Sequence, residues 1–380
     1  MYSFEQGPIR PPSEAGSLLL RFTRNCPWNK CAFCPVYKKR RFSRRSLEEI
    51  LEDIESVSGM LQQMRDYARS LTGSARLEKD TVQRILTSRD WPEQYKQLAS
   101  WAVHSERTVF IQDANSLILK TSVLAQALKA MREKIPEISR VTMYARSSTL
   151  ARKSQQELSQ LRKAGLDRLH IGMESGSDNV LRLVNKGVSA QQHIDAGQKA
   201  VQSGLTLSEY IMPGLGGREL SREHALETAR VLDAIDPHYI RLRTLNIMPG
   251  TELEAMRQRG EFTPMDDDEI VVEIRLLIQS LQETTARLTS DHIMNLLQEV
   301  EGSLPRDKEA MLRVIDDYLN RPYRDRLLYR LGRRGGGLSS PAQLDYPHVR
   351  EQLEQASRSL EAQENKDLES IIRDLGKEHL

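Results

Sequence analysis

The chain has 380 residues, 39% apolar and 28% charged, with a net charge of +2. That balance suits a large packed core and gives no global field toward nucleic acid or an acidic membrane. No apolar run reaches the ~20 residues of a membrane span, the N-terminus has no signal-peptide core, and three cysteines cannot form a disulfide framework, so a cytoplasmic protein is expected.

Six short apolar runs, each followed by a helical pattern, predict parallel strands in βαβ order. They are Ser17–Thr23, Arg107–Asn115, Arg140–Ser147, Asp167–Ser177, Leu205–Gly217 and His238–Gly250. After the first, Ser46 and Glu49 have capping-box spacing, and Leu47, Ile50, Leu51 and Ile54 share one face. Residues 59–107 read as a helical insertion in which Trp91 and Trp101 supply packing. Ser154–Leu166 starts at a serine cap and ends at Gly165, and Ser221–Ile235 is a second capped amphipathic helix. Beyond Gly250 the pattern turns helical, at Glu269–Leu288 and Asp307–Arg321. "GRRGGG" (Gly332–Gly337) reads as a linker. Val349–Gly376 reads as polar surface helices or a partner-binding tail. The expected organisation is a strand–helix core over 15–255, a helical region over 256–331, and a linker with a tail over 332–380.

All three cysteines, Cys26, Cys31 and Cys34, fall within nine residues of "RNCPWNKCAFCPVYKKRR", directly after the first strand. Clustered thiolates on a loop indicate a soft metal site. Structural zinc sites are closed and four-coordinate, and the first histidine of the chain is His104. A [4Fe–4S] cluster on three cysteines leaves one iron open to a small chelating ligand. Packing cysteines, or a zinc knuckle completed from a distance, stay open as alternatives.

The Cys-x4-Cys-x2-Cys pattern, with Phe33 before its last cysteine, resembles the radical S-adenosylmethionine (SAM) superfamily, whose commonest first spacing is one residue shorter. "GMESGSDNVLRLVNKG" (Gly172–Gly187), "YIMPGLGG" and "NIMPGTEL" resemble the branch containing oxygen-independent coproporphyrinogen oxidases and tRNA methylthiotransferases. The resemblance spans about residues 15–255. It implies an α/β fold, a partial (β/α)6 TIM-type barrel with a helical insertion after the first βα unit and a helical C-terminal extension. The chemistry would lie at the C-terminal strand ends. It implies a [4Fe–4S] cluster and SAM as cofactors, and SAM cleavage to a 5′-deoxyadenosyl radical that abstracts hydrogen from substrate.

The same resemblance assigns roles by position. Cys26, Cys31 and Cys34 are the iron ligands, and Phe33 lies near the adenine. Gln112 and Asp113 replace a Gly-Gly-Glu type turn that binds the methionine amine. Glu174 and Ser175 sit where relatives contact ribose, and Lys186 where a cation meets the SAM carboxylate. Met212, Gly214 and Met248 wall the adenine. Each also has an ordinary reading: Glu174 as a strand-end ion pair, Asp113 as a helix N-cap, Lys186 as a helix C-terminal cation, and the methionines as core fillers.

Charged residues within or ending the strands, namely Arg21, Arg146, Glu209, Arg241 and Arg243, and His292 beyond them, are the candidates for substrate chemistry. On an alternating strand Arg241 and Arg243 share a face. Cavity arginines would bind an anionic small molecule, and arginines paired outside the barrel would not. His292 suits a proton donor or an ordinary satisfied histidine. The basic run Lys38–Arg45 could grip RNA phosphates or simply be solvated. A reductase or a flavodoxin or ferredoxin would supply electrons. Three cysteines leave none for a second cluster. An RNA-modifying enzyme and a non-catalytic zinc- or iron–sulfur-binding scaffold that binds a partner are the competing functions.

Overall fold

The computed structural model describes residues 2–364 and 367–378. All six expected strands form: β1 (Leu18–Arg21), β2 (Thr108–Gln112), β3 (Arg140–Ala145), β4 (Arg168–Glu174), β5 (Thr206–Ile211) and β6 (Tyr239–Leu242). Two more follow, β7 (Arg287–Thr289) and β8 (Gly302–Ser303), and the eight stand in one mostly parallel sheet in chain order. Registers such as Leu18↔Val109, Val109↔Val141 and Thr142↔Arg168 are those of successive parallel neighbours. Every residue of β2 is buried, which is why this strand reads as a continuous apolar run.

The chain divides into two compact units. One comprises Met1–Asn29, Tyr37–Ile171 and Lys199–Leu207; the other comprises Lys30–Val36, Gly172–Gln198 and Ser208–Leu380, so that β4 runs from one into the other. In the first unit, the helix Leu47–Thr72 begins with the Ser46–Glu49 capping box and ends at Gly73. It passes straight through Gly59, where the insertion was expected to start. A Cβ on Gly59 would fall 2.4 Å from the Tyr2 ring, so glycine is kept there by a close approach and does not end the helix. Helices Lys79–Thr87 and Glu93–His104 complete the insertion. The Trp101 indole donates to the Thr108 carbonyl at 2.8 Å, and Trp91 packs against Tyr67 and Tyr95. A buried polar layer underlies the strands. Glu14, fully buried, accepts from Ser17 at 2.5 Å, lies 3.2 Å from His170 Nε2 and pairs with Arg140 at 3.3 Å. Burial raises the Glu14 carboxyl, but these bonds outweigh it and hold it at about 2.

In the second unit, the helix Gly217–Ile235 starts one turn before Ser221. The helix expected over Glu269–Leu288 occupies only Asp267–Ser280. Its continuation is stopped because Asp233 accepts the N–H groups of Gln282, Glu283 and Thr284, while Asp236 accepts that of Thr285. The released segment becomes β7, parallel to β6. The expected linker is also corrected. The helix Tyr323–Arg334 includes Gly332, whose Cβ would fall 2.7 Å from Leu338, so only 335–337 is free of helix. The tail forms helices Pro347–Glu364 and Leu368–Glu378, and Leu368 and Ile372 pack on Leu327 and Leu331.

Candidate active site

In the first unit the cysteine segment leaves β1 through a short antiparallel ladder, Thr23–Arg24 against Ser43–Arg44, that ties its two legs together. Asn25 takes a positive φ of 68° and donates its N–H to Asp113 at 2.7 Å. The next residue is Cys26, whose sulfur accepts the Asn29 N–H at 3.4 Å. Arg21 holds the same Asp113 oxygen with two donors, at 2.6 and 2.9 Å. Asp113 is therefore ion-paired and caps no helix. Burial raises its carboxyl, against the lowering by Asn25 and Arg21.

Gln112, expected to bind cofactor, faces elsewhere. Its carboxamide accepts the Gly7 N–H at 2.7 Å and donates to the Gly7 and Ile9 carbonyls. The N-terminal segment has taken both donors of this side chain and one of its two acceptor positions. Arg21, a candidate for substrate, is likewise committed to Asp113 and to Glu5 at 3.0 Å. Arg146 follows β3 and lies over the Trp28 ring at 5.2 Å.

In the second unit the segment carrying Cys31 and Cys34 is pinned by backbone. Ala32 donates to Val184 at 2.8 Å and accepts from Leu253 at 3.0 Å. Cys31 is buried and Cys34 half-buried, and none of the three thiols is in a disulfide. Phe33 packs with Met212 on an apolar cluster that includes Val180, Leu215 and Phe262. Lys186 Nζ lies 5.8 Å from the Phe33 ring centre and 2.8 Å from Glu174 Oε1. Both partners of that ion pair are about nine-tenths buried. A Cβ at Gly172 would fall 2.3 Å from Glu174 Oε1 and 3.1 Å from Lys186 Nζ, so the pair occupies the space that the glycine leaves. Phe33, Glu174, Lys186 and Glu209 thus form one group, with Lys186 an ion-paired interior cation rather than a solvated one.

Glu209 is 1% exposed and its Oε2 has no hydrogen-bond partner among the described residues. Burial pushes its carboxyl well above the usual carboxylate range; Glu174 adds to the rise and Lys186 opposes it. The folded chain therefore binds this proton more tightly than the unfolded one. The associated stability is complete below the ordinary carboxylate range and is lost as pH climbs through it toward the folded value. Glu209→Gln removes that loss. Urea unfolding should show the variant gaining on the wild type from pH 4 to pH 8, by about 1.4 kcal/mol per unit of raised pKa. A stability difference that does not change with pH would refute the neutral acid.

Ser175, expected to meet ribose, is fully buried and bound internally. Its hydroxyl lies 2.8 Å from His224 Nδ1 and accepts the Ser177 N–H at 3.0 Å. His224 Nε2 lies 3.1 Å from the Met212 carbonyl and 3.8 Å from Glu273, which accepts the Gly214 N–H at 2.7 Å. This chain, unforeseen from sequence, ties the end of β4 to the end of β5. Its signal was available: His224 and Glu273 are polar residues on the apolar stripes of their helices. Gly176 sits against the same helix, and a Cβ there would fall 2.4 Å from the Glu227 carbonyl oxygen and 2.7 Å from the Thr228 Cα. Both are backbone atoms and cannot rotate away. Gly176→Ala should cost about 3 kcal/mol, the upper end for overpacking, measured by thermal unfolding.

Arg241 in β6 and Arg243 just beyond it lie against Ser208 and Tyr210, alternate residues of β5. Arg241 donates to Ser208 at 3.0 Å and pairs with Asp291 at 3.1 Å, so it is already neutralised. Arg243, just past β6, lies over the Tyr210 ring at 5.2 Å and has no ion pair among the described residues. His292 lies in the loop between β7 and β8, not in a helix. Burial, reinforced by Arg243, lowers its pKa to about 4, so it is neutral at pH 7 and carries no imidazolium proton to donate. Met248 contributes its carbonyl to Thr251 in the loop after β6.

A parallel βαβ sheet with three clustered cysteines, none in a disulfide, after its first strand, and a buried lysine–glutamate pair after its fourth, defines an α/β protein built around a soft-metal loop. The sequence matches the Radical SAM superfamily over residues 20–230, and the chain belongs to it. Members use a [4Fe–4S] cluster and SAM, and these are the cofactors of this chain. It is 24% identical over 260 residues to a tRNA uridine(34) acetyltransferase of Methanocaldococcus infernus, covering 65% of this chain and 46% of that protein. It is 27% identical over 166 residues to the archaeosine synthase subunit beta of Methanosarcina acetivorans, covering 42% and 47%. Methylornithine synthase has a similar structure at a TM-score of 0.43 and 16% identity, covering 88% of this chain and 85% of that one. The chain thus spans less than half the length of both curated relatives. No helix among the described residues is long and apolar enough to cross a membrane.

The residues present fit a cluster. Among the described residues no three His, Cys, Asp or Glu side chains converge on a single metal ion. A cubane does not ask them to, because each cysteine binds a different iron. It asks for cysteines outside any disulfide on an anchored loop, and Cys26, Cys31 and Cys34 are such cysteines, with fixed backbone beside them.

Proposed function

We propose that the chain is a radical SAM enzyme that modifies a nucleoside in RNA, with tRNA the first candidate. The carrying observation is the match, over 65% of the chain, to an enzyme whose name states that it acts on a tRNA uridine. The relatives favour this reading over the small anionic substrate expected from strand-end arginines. The committed partners of Arg21 and Arg241 support the same preference.

In this reading Cys26, Cys31 and Cys34 hold the cluster. Bound there with SAM, it supplies the reducing electron for SAM cleavage, the source of the hydrogen-abstracting radical. Lys186 would offer its charge to the SAM carboxylate and Phe33 a flat face to the adenine. Glu174 and Glu209 set the charge around Lys186. Gly214, its N–H fixed by Glu273, keeps the chain after β5 close to the site. A reductase, flavodoxin or ferredoxin would deliver the electron.

The test is anaerobic reconstitution with iron, sulfide and dithionite, followed by SAM and tRNA deuterated in its ribose and bases. Transfer of deuterium into 5′-deoxyadenosine is expected. Unlabelled product at the same rate with and without tRNA would count against an RNA substrate.

A further inference from the structure

The run Lys38–Arg45 holds six cations in eight residues, and the structure sorts them. Two point inward. Lys38 donates to the Asn29 carbonyl at 3.1 Å, and Arg45, 6% exposed, binds Asp53 and the carbonyls of Arg21 and Glu49. The other four, Lys39, Arg40, Arg41 and Arg44, are exposed, and among the described residues none of them has an ion pair.

The contrast with their neighbours is sharp. Arg21, Arg24 and Arg45 are all neutralised by Glu5, Glu49, Asp53 or Asp113. Acids are therefore plentiful on this side of the unit, and the four outer cations are not using them. Nor does their backbone float. The Tyr37 side chain is 2% exposed and its carbonyl accepts from Asn29; the Arg41 carbonyl accepts from Asn25 at 2.6 Å; Arg44 stands opposite Thr23 in the ladder; and Arg45 donates to the Phe22 carbonyl at 3.3 Å. Four unpaired charges on an anchored backbone lose little freedom on meeting a polyanion, whereas cations on a free loop would have to be ordered first.

We propose that the returning leg of the cysteine loop, Lys39, Arg40, Arg41 and Arg44, is an RNA-phosphate-binding surface. It rests on the RNA reading above. The four cations take successive backbone phosphates, and because they belong to the loop that carries the cysteines, they draw the bound strand to the cluster loop. Arginine is suited to this through its planar fork, and lysine through its point charge. Phosphate contacts position the strand and carry no sequence information, so this surface sets register while other groups choose the base.

The test is the salt dependence of binding to a fluorescent tRNA transcript and to a 20-nucleotide single strand. Each phosphate neutralised on a single strand contributes about 0.7 to the slope of log K against log salt, so the four sites account for a slope of about 3 and a ~50-fold loss of affinity between 50 and 200 mM salt. The variant Lys39→Gln/Arg40→Gln/Arg41→Gln/Arg44→Gln should lose that slope. The variant Arg40→Lys/Arg41→Lys/Arg44→Lys should keep most of it, which separates charge from damage to the fold. Wild-type binding with an unchanged slope in the glutamine variant overturns this surface and leaves the RNA reading standing. No binding by the wild type at 50 mM salt overturns both. Equal loss of binding in the lysine variant, or binding to phosphatidylserine vesicles without binding to either RNA, also overturns it.

Discussion

Alanine at Cys26, Cys31 or Cys34 is expected to give a folded protein that fails to retain iron and forms 5′-deoxyadenosine more than ~100-fold more slowly. That loss exceeds the 10- to 100-fold usual for residues that merely support a metal ligand. The fold should survive. The sulfurs of Cys31 and Cys34 have no disulfide to lose, and the Cys31 segment is held by Ala32 backbone bonds to Val184 and from Leu253 that alanine leaves intact. Iron and sulfide per chain after anaerobic reconstitution, read beside thermal unfolding of the unloaded protein, check both halves. Full iron content in any single variant would remove that cysteine from the ligand set. The three should behave alike, since a cubane short of one anchor is exposed at a second iron.

The second large effect lies at the lysine–glutamate pair. Lys186→Met removes the cation that opposes the raised Glu209 carboxyl and leaves Glu174 buried without its partner. Breaking a buried pair by removing one member costs about 3–5 kcal/mol, because the remaining charge stays desolvated. Urea unfolding should show that cost in full at pH 8. Adding Glu174→Gln to Lys186→Met should restore much of the loss. Two single changes whose costs simply add would mean that the 2.8 Å contact carries no coupling. The same double substitution separates stability from cofactor binding: it should refold the protein without recovering SAM affinity.

The six parallel strands were legible because buried parallel strands read as short apolar runs bounded by turns, and the helices between them announce their ends. Ser46, Ser154 and Gly165 do so through local chemistry that needs no tertiary partner. The cysteine loop was legible for the same reason. The two last strands were not. Three residues of β7 and two of β8 are too short for any period, and the helix before β7 is halted by Asp233 and Asp236, about 50 positions earlier in the chain. Gln112 illustrates the same limit at the site. Its position beside Asp113 suggested a ligand-binding turn, yet its bonds go to Gly7 and Ile9, more than 100 residues away in sequence. Glu209 was visible as an acid inside a strand, but its raised carboxyl follows from burial first and then from Glu174 and Lys186, which only the folded chain supplies.

The ladder of Thr23–Arg24 with Ser43–Arg44 bears on the unusual spacing of the cysteines. A drawstring at the neck of a loop separates what lies above it from what lies below. Residues gained or lost between Cys26 and Cys31 change the slack above the neck, while β1 below it keeps its register on β2, from Leu18 against Val109 to Arg21 against Gln112. The fourth residue in the first cysteine interval therefore need not propagate into the sheet. Loop length in this protein becomes a variable that can drift, or be engineered, independently of the strand that presents it.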